Sequence, residues 1–163
     1  LVQPAREVYL VEAGATLVRA FGEQLEGSAP ALVEASYPEW AADEVAVLAA
    51  AGVDVVQNSQ ENLADEATRG EFFHMAVEIM EAAGVEVPDV SCESIAGTLS
   101  DLVCSHPYAD DVAALYQMGI VQGALTPDGD REAQLDETTT RAEIATIINE
   151  MLQNDAVELV TAE

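Results

Sequence analysis

The chain has 163 residues, half of them apolar, and sets 31 acidic residues against 5 basic ones for a net charge of −26. That length and apolar content suit one domain with a real core. The few cations, Arg6, Arg19, Arg69, Arg131 and Arg141 with no lysine, exclude nucleic acid and anionic membrane surfaces, both of which recruit clustered Lys and Arg.

The longest nearly apolar run, Val45 to Val53, is about half of the roughly 20 residues that span a bilayer, so no membrane insertion is expected. A carboxylate-rich, lysine-free surface implies a halophilic setting of concentrated salt, or one rich in divalent cations. At 1 M salt a Debye length of about 3 Å removes most of the self-repulsion. The chain starts at Leu1 with no basic-then-apolar leader, which reads as a processed product, a fragment or a portion of something longer.

In chain order, the first predicted helix runs from about 6 to 25. Its sequence, PAREVYLVEAGATLVRAFG, reads as a partial copy of later segments, with Arg6 placed like Arg69, and Tyr9 and Leu10 standing where Phe72 and Phe73 stand. The second, 40–51, is a short amphipathic helix led by Trp40 and closed by Gly52. The third, 68–83, opens with Thr68-Arg69-Gly70-Glu71, the spacing of a capping box. There the threonine hydroxyl accepts from the backbone three residues on, and the glutamate reaches back to the cap's own N–H. It stops at Gly84, a glycine cap.

Residues 85–106 read as an irregular connector, with Cys92 and Cys104 in a polar stretch. A disulfide there is worth up to about 3 kcal/mol by the chain-entropy model and places the protein in an oxidising compartment; two half-buried free thiols are the alternative. Zinc through these cysteines needs further ligands, which the spacing of His74 and His106 does not supply. A helix over 107–118 then follows Tyr108 and closes at Gly119, matching the 40–51 segment through Val45 with Val112 and Gly52 with Gly119. Pro127-Asp128-Gly129 marks a turn.

The last main helix, 140–153, repeats the capping box as Thr140-Arg141-Ala142-Glu143, and LDETTTRAEIATIINEML aligns without a gap on LADEATRGEFFHMAVEIM from Leu63. The tail from Ala156 alternates apolar and polar and fits a strand or a helix end. The whole reads as one mainly α domain over 1–163, with sub-repeats near 1–25, 38–84 and 101–153.

The order aromatic, short helix, Gly-Ile, Gly, Pro-Asp-Gly and Thr-Arg-Ala-Glu helix, seen from Tyr108 to Leu152, resembles the S-layer homology repeat. Trp40 to Gly84 looks like a second copy and Leu1 to Gly22 like the closing helix of a third, while residues 85–106 depart from the pattern. The resemblance implies a pseudo-repeat helical bundle with irregular loops, each repeat a helix pair, often three together. It also implies a cell-surface role in holding proteins to wall polysaccharide, commonly a pyruvylated polymer.

By position it implies a polymer-binding set of Arg69, Arg141 and Arg6, the aromatics Trp40 and Tyr108, and Gly52, Gly119 and Gly123. A guanidinium at a helix N-terminus suits a ketal carboxylate, since it adds fixed donors to unpaired N–H groups. The competing reading pairs each arginine with a nearby carboxylate such as Asp65 or Asp136, and the two aromatics with the packing between repeats.

His74 is expected at the solvent edge of its helix and His106 at the end of a loop, neither of them a ligand, acid or base. Asp128, Asp130 and Asp136, with Glu132, form the densest acidic loop, where Ca²⁺ is the one cofactor the chain leaves room for, although the EF-hand order is absent. No nucleophile elbow, phosphate loop or dinucleotide fingerprint occurs, so the chain reads as non-catalytic. Two functions follow as expectations: an extracellular module anchored to cell-wall polysaccharide, or a structural subunit whose partners are neighbouring copies of itself in a filament or surface layer.

Overall fold

Three helices begin in the same local conformation, an extended residue followed at once by a helical turn: α1 (Leu10–Leu25), α4 (Arg69–Ala82) and α6 (Arg141–Leu152). The first N–H groups of a helix have no partner inside it, and here neighbouring segments supply one. In the computed structural model, which describes residues 3–25, 33–58 and 60–161, the N–H of Leu10, Arg69 and Arg141 donate to the carbonyls of Asp65, Glu137 and Arg6 at 2.9, 2.8 and 3.1 Å. The next N–H groups, of Val11, Gly70 and Ala142, donate to Leu63, Leu135 and Pro4 at 2.9, 2.9 and 3.1 Å. Val8 donates to Thr139, Thr139 to Ala67 and Ala67 back to Val8, so the three helix starts close into a ring.

The third N–H of α4 and of α6 is satisfied by the predicted capping boxes: Thr68 accepts from Glu71 and Thr140 from Glu143, while both glutamates reach back to the cap N–H. α1 keeps half of this arrangement. Tyr9 stands where the threonines stand, and its N–H donates to Glu12 at 3.2 Å. The register expected for the N-terminal segment is therefore corrected by one helical turn: Leu10 occupies the place of Arg69, and Arg6 lies before the helix, at the place of Asp65. An apolar face recurs every turn, so hydrophobic matching alone cannot fix which turn comes first.

Between these helices lie α2 (Ala42–Ala50), preceded by a 3-10 turn at Glu39–Ala41, the short α3 (Asp54–Gln57), and α5 (Ala109–Gln117); α7 (Asp155–Thr161) ends the described chain. The tail is thus helical, and Ala162 and Glu163, like Leu1 and Val2, lie outside the described residues. Gly52 and Gly119 close α2 and α5 with φ of 83° and 77°, each followed by the six-to-one hydrogen bond of a Schellman motif, Val53 to Leu48 and Ile120 to Leu115.

α1 sits centrally, against α2, α4, α6 and α7, and α5 packs on α4. One cluster of buried side chains runs from Val8 to Val157, with Leu17, Phe21, Leu48, Phe72, Phe73, Ile79, Leu115 and Met151 fully enclosed. Each such side chain contributes about 1.5–3 kcal/mol of burial. The connector is tied by the expected disulfide, Cys92–Cys104, with Cα atoms 5.4 Å apart. It also clamps a hairpin of β1 (Ala124–Leu125) and β2 (Arg131–Glu132), since Ser100 donates to Arg131 at 2.7 Å and Asp101 accepts from Ala133 and Gln134 at 2.6 and 2.7 Å. No helix among the described residues is long and apolar enough to cross a membrane.

Candidate functional site

The ring of helix starts places two arginines in one recurring relation. Arg69, first residue of α4, pairs with Glu143, third residue of α6, at 3.0 Å; Arg141, first residue of α6, pairs with Glu12, third residue of α1, at 3.2 Å. Neither partner is Asp65 or Asp136. The carboxylates that hold the arginines are those that cap the neighbouring helix, a choice set by ring closure rather than by sequence proximity.

The two pairs differ in what surrounds them. Arg69 is buried, its side chain only 7% exposed; its Nε donates to the Ala133 carbonyl at 3.0 Å and its guanidinium lies 5.3 Å from the Phe73 ring centroid. It forms the floor of a groove of about 430 Å³ with Gly123, Gln122, Thr146 and Glu150. Arg141 is 45% exposed and edges a second groove, of about 260 Å³, between α1 and α6, lined by Val8, Glu12, Thr16, Arg19 and Ile144.

Arg6 reaches the same carboxylate, Glu12, at 2.5 Å. Burial raises Glu12, but the Tyr9 N–H and the guanidinium groups of Arg6 and Arg141 outweigh it and hold the carboxyl below its ordinary value. Arg6 and Arg141, two of the chain's few cations, thereby share the Glu12 carboxylate; Arg141 and Arg19 line the α1–α6 groove, and Arg19 pairs with Glu44 on α2 at 3.2 Å. Arg19, absent from the expected set, is the residue that sequence reasoning missed. Its only signal was the scarcity of cations.

The other expected residues scatter. Trp40 stands in the 3-10 turn before α2, 61% exposed. Tyr108 stacks on His74 with ring centroids 5.0 Å apart and covers Gly70, where an added Cβ would meet its ring at 2.8 Å, so it serves packing between α4 and α5. Gly52 and Gly119 end helices. Gly123 alone joins an arginine in a groove.

His74 departs most from expectation. Its Nδ1 lies 2.9 Å from Asp111 on α5, and its Nε2 lies 3.4 Å from Asp54 on α3 and 3.5 Å from Glu78 on its own helix. The hydrogen bond to Asp111, opposed by burial and reinforced by Glu78, pushes the imidazole up to about 9, and burial pushes the Glu78 carboxyl up to about 7. Partners from three elements converge on a side chain expected at a solvent edge, because Asp54 and Asp111 are remote in sequence. His106 likewise bonds Asp136, at 3.0 Å. Asp128 and Asp130 sit on the hairpin, and among the described residues they and Asp136 do not come together as a ligand set, whereas Asp54, His74 and Glu78 do. Set against protein-family models, curated proteins and solved structures, the chain matches none of the three.

Proposed function

We propose that the chain is a non-catalytic, extracellular cell-surface module of S-layer-homology type that anchors to anionic cell-wall polysaccharide through the α1–α6 groove. The observation that carries this reading is that Arg19 and Arg141 line that groove, with Arg6 on the same Glu12 carboxylate as Arg141, in a chain with only 5 basic residues and a net charge of −26. The first N–H groups of α6 are already paired within the ring and the capping box, so the guanidinium groups carry the attraction, since they bind a sugar carboxylate with two parallel donors. Glu12 holds the site in shape until a ligand carboxylate competes for the same donors. The global field opposes a polyanion, so binding belongs to concentrated salt, where screening leaves short-range contacts dominant. The ring of helix starts supports the pseudo-repeat reading, and the disulfide supports an oxidising location.

The test is retention on isolated wall polysaccharide in high salt. Arg19→Ala with Arg141→Ala is expected to abolish retention while circular dichroism stays unchanged; retention equal to the parent chain would refute the assignment. A second reading, self-assembly, is favoured by the exposure of Trp40, Val103 and Leu125, each more than 60% exposed. Electron microscopy of the unretained fraction separates the two: ordered filaments or sheets that vanish in Trp40→Ser would favour assembly.

A further inference from the structure

The two nitrogens of His74 are treated differently by their surroundings. Nδ1 sits 2.9 Å from Asp111, an ordinary hydrogen bond. Nε2 stands 3.4 Å from an Asp54 oxygen and 3.5 Å from a Glu78 oxygen, both beyond the roughly 2.7–3.2 Å of a good N–H···O bond. Those spacings fit another geometry. Ligand atoms about 2.1 Å from a tetrahedral zinc ion are about 3.4 Å from one another.

All three ligand atoms lie within 4.8 Å of one another. Glu78 is held in place by the Asp54 N–H, which donates to its two oxygens at 3.1 and 3.3 Å. Asp111 fixes the ring at Nδ1, so that Nε2, once an ion displaces its proton, faces the two carboxylates as a ligand, the arrangement of a metal-ligating histidine with its carboxylate support. Tyr108, stacked on the ring, fixes its plane.

We propose that Asp54, His74 and Glu78 bind one divalent transition-metal ion of the Zn²⁺ class, with Asp111 as the positioning residue. Binding releases the imidazole proton to solvent, after which two carboxylates and a neutral imidazole balance a divalent charge, and the mixed nitrogen and oxygen set favours Zn²⁺ or Co²⁺ over Mg²⁺ and Ca²⁺, which take oxygen. Water completes the tetrahedron. The ion ties α3 to α4 and, through Asp111, to α5. It is separate from the arginine grooves and independent of the polysaccharide reading.

The experiment titrates the full chain with Co²⁺ in concentrated NaCl containing excess Mg²⁺, which occupies the diffuse carboxylate surface. The expected result is the intense visible absorption of tetrahedral Co²⁺ saturating at one equivalent and displaced by Zn²⁺. That spectrum is lost in His74→Gln and in Asp54→Asn, and Asp111→Asn weakens binding by roughly 10- to 100-fold. Asp54 is largely exposed, so its variant tests the site even if His74→Gln disturbs the fold. A weak octahedral spectrum, binding without saturation, or an unchanged spectrum in Asp54→Asn would each overturn the proposal.

Discussion

Replacing Arg69 separates a structural from a ligand-binding role. In Arg69→Ala the buried carbonyl of Ala133 loses its donor, which costs about 1–3 kcal/mol for an unsatisfied buried group. The ion pair to Glu143 adds less than a fully buried one, because Glu143 is 37% exposed and water can replace the guanidinium there; about 1 kcal/mol is appropriate. Loss of the stem against Phe73 adds a further fraction. The sum is about 3 kcal/mol, or about 6–12 °C in Tm for a chain of this length. Arg141→Ala, at an exposed pair, is expected to cost no more than about 1 kcal/mol. Urea unfolding of both variants in the same high-salt buffer measures the difference. Equal midpoints for the two would refute the claim that Arg69 holds the connection between α4 and α6, and would return it to the exposed, ligand-facing class in which the sequence resemblance places it.

Both perturbed groups of the His74 cluster have folded values above their ordinary ones, so each contributes stability at low pH that is lost as pH rises. Glu78 acts between 4.5 and about 7, and His74 between 6.5 and about 9. In metal-free buffer, stability is expected to fall across this span, and His74→Gln to flatten its upper part; a parent Tm that rises from pH 7 to 9 would contradict the cluster geometry. Gly123→Ala meets Leu99 at 2.5 Å and the Glu132 carbonyl at 3.0 Å at a φ of 82°, and is expected to lose at least about 2 kcal/mol. Gly129→Ala, with φ of 92° and open space, should lose only about 1 kcal/mol, so similar urea midpoints would count against the hairpin packing. Tm is expected to climb steeply from dilute to molar salt as the repulsion of a −26 surface is screened, and a flat salt profile in calorimetry would refute that account.

Features that close within a few residues could be read from the chain before it folds. Thr68 with Glu71 and Thr140 with Glu143 are pairs inside one helical turn, so their caps were legible, as were the glycine ends at Gly52, Gly84 and Gly119 and the Cys92–Cys104 link across a short connector. Tertiary structure decided the partners of the charged groups. Arg69 meets Glu143 at a separation of 74 residues and Arg141 meets Glu12 at 129, while His74 meets Asp54 at 20 and Asp111 at 37. In a chain with 31 acidic residues, sequence proximity offers every cation several candidate partners. Closure of the three helix starts selects the partners of Arg69 and Arg141 through backbone hydrogen bonds, which have no side-chain signature, and the placement of α3 and α5 beside α4 selects those of His74. The same closure set the register of α1, because an apolar stripe is unchanged by a shift of one turn whereas a ring of donors and acceptors is not.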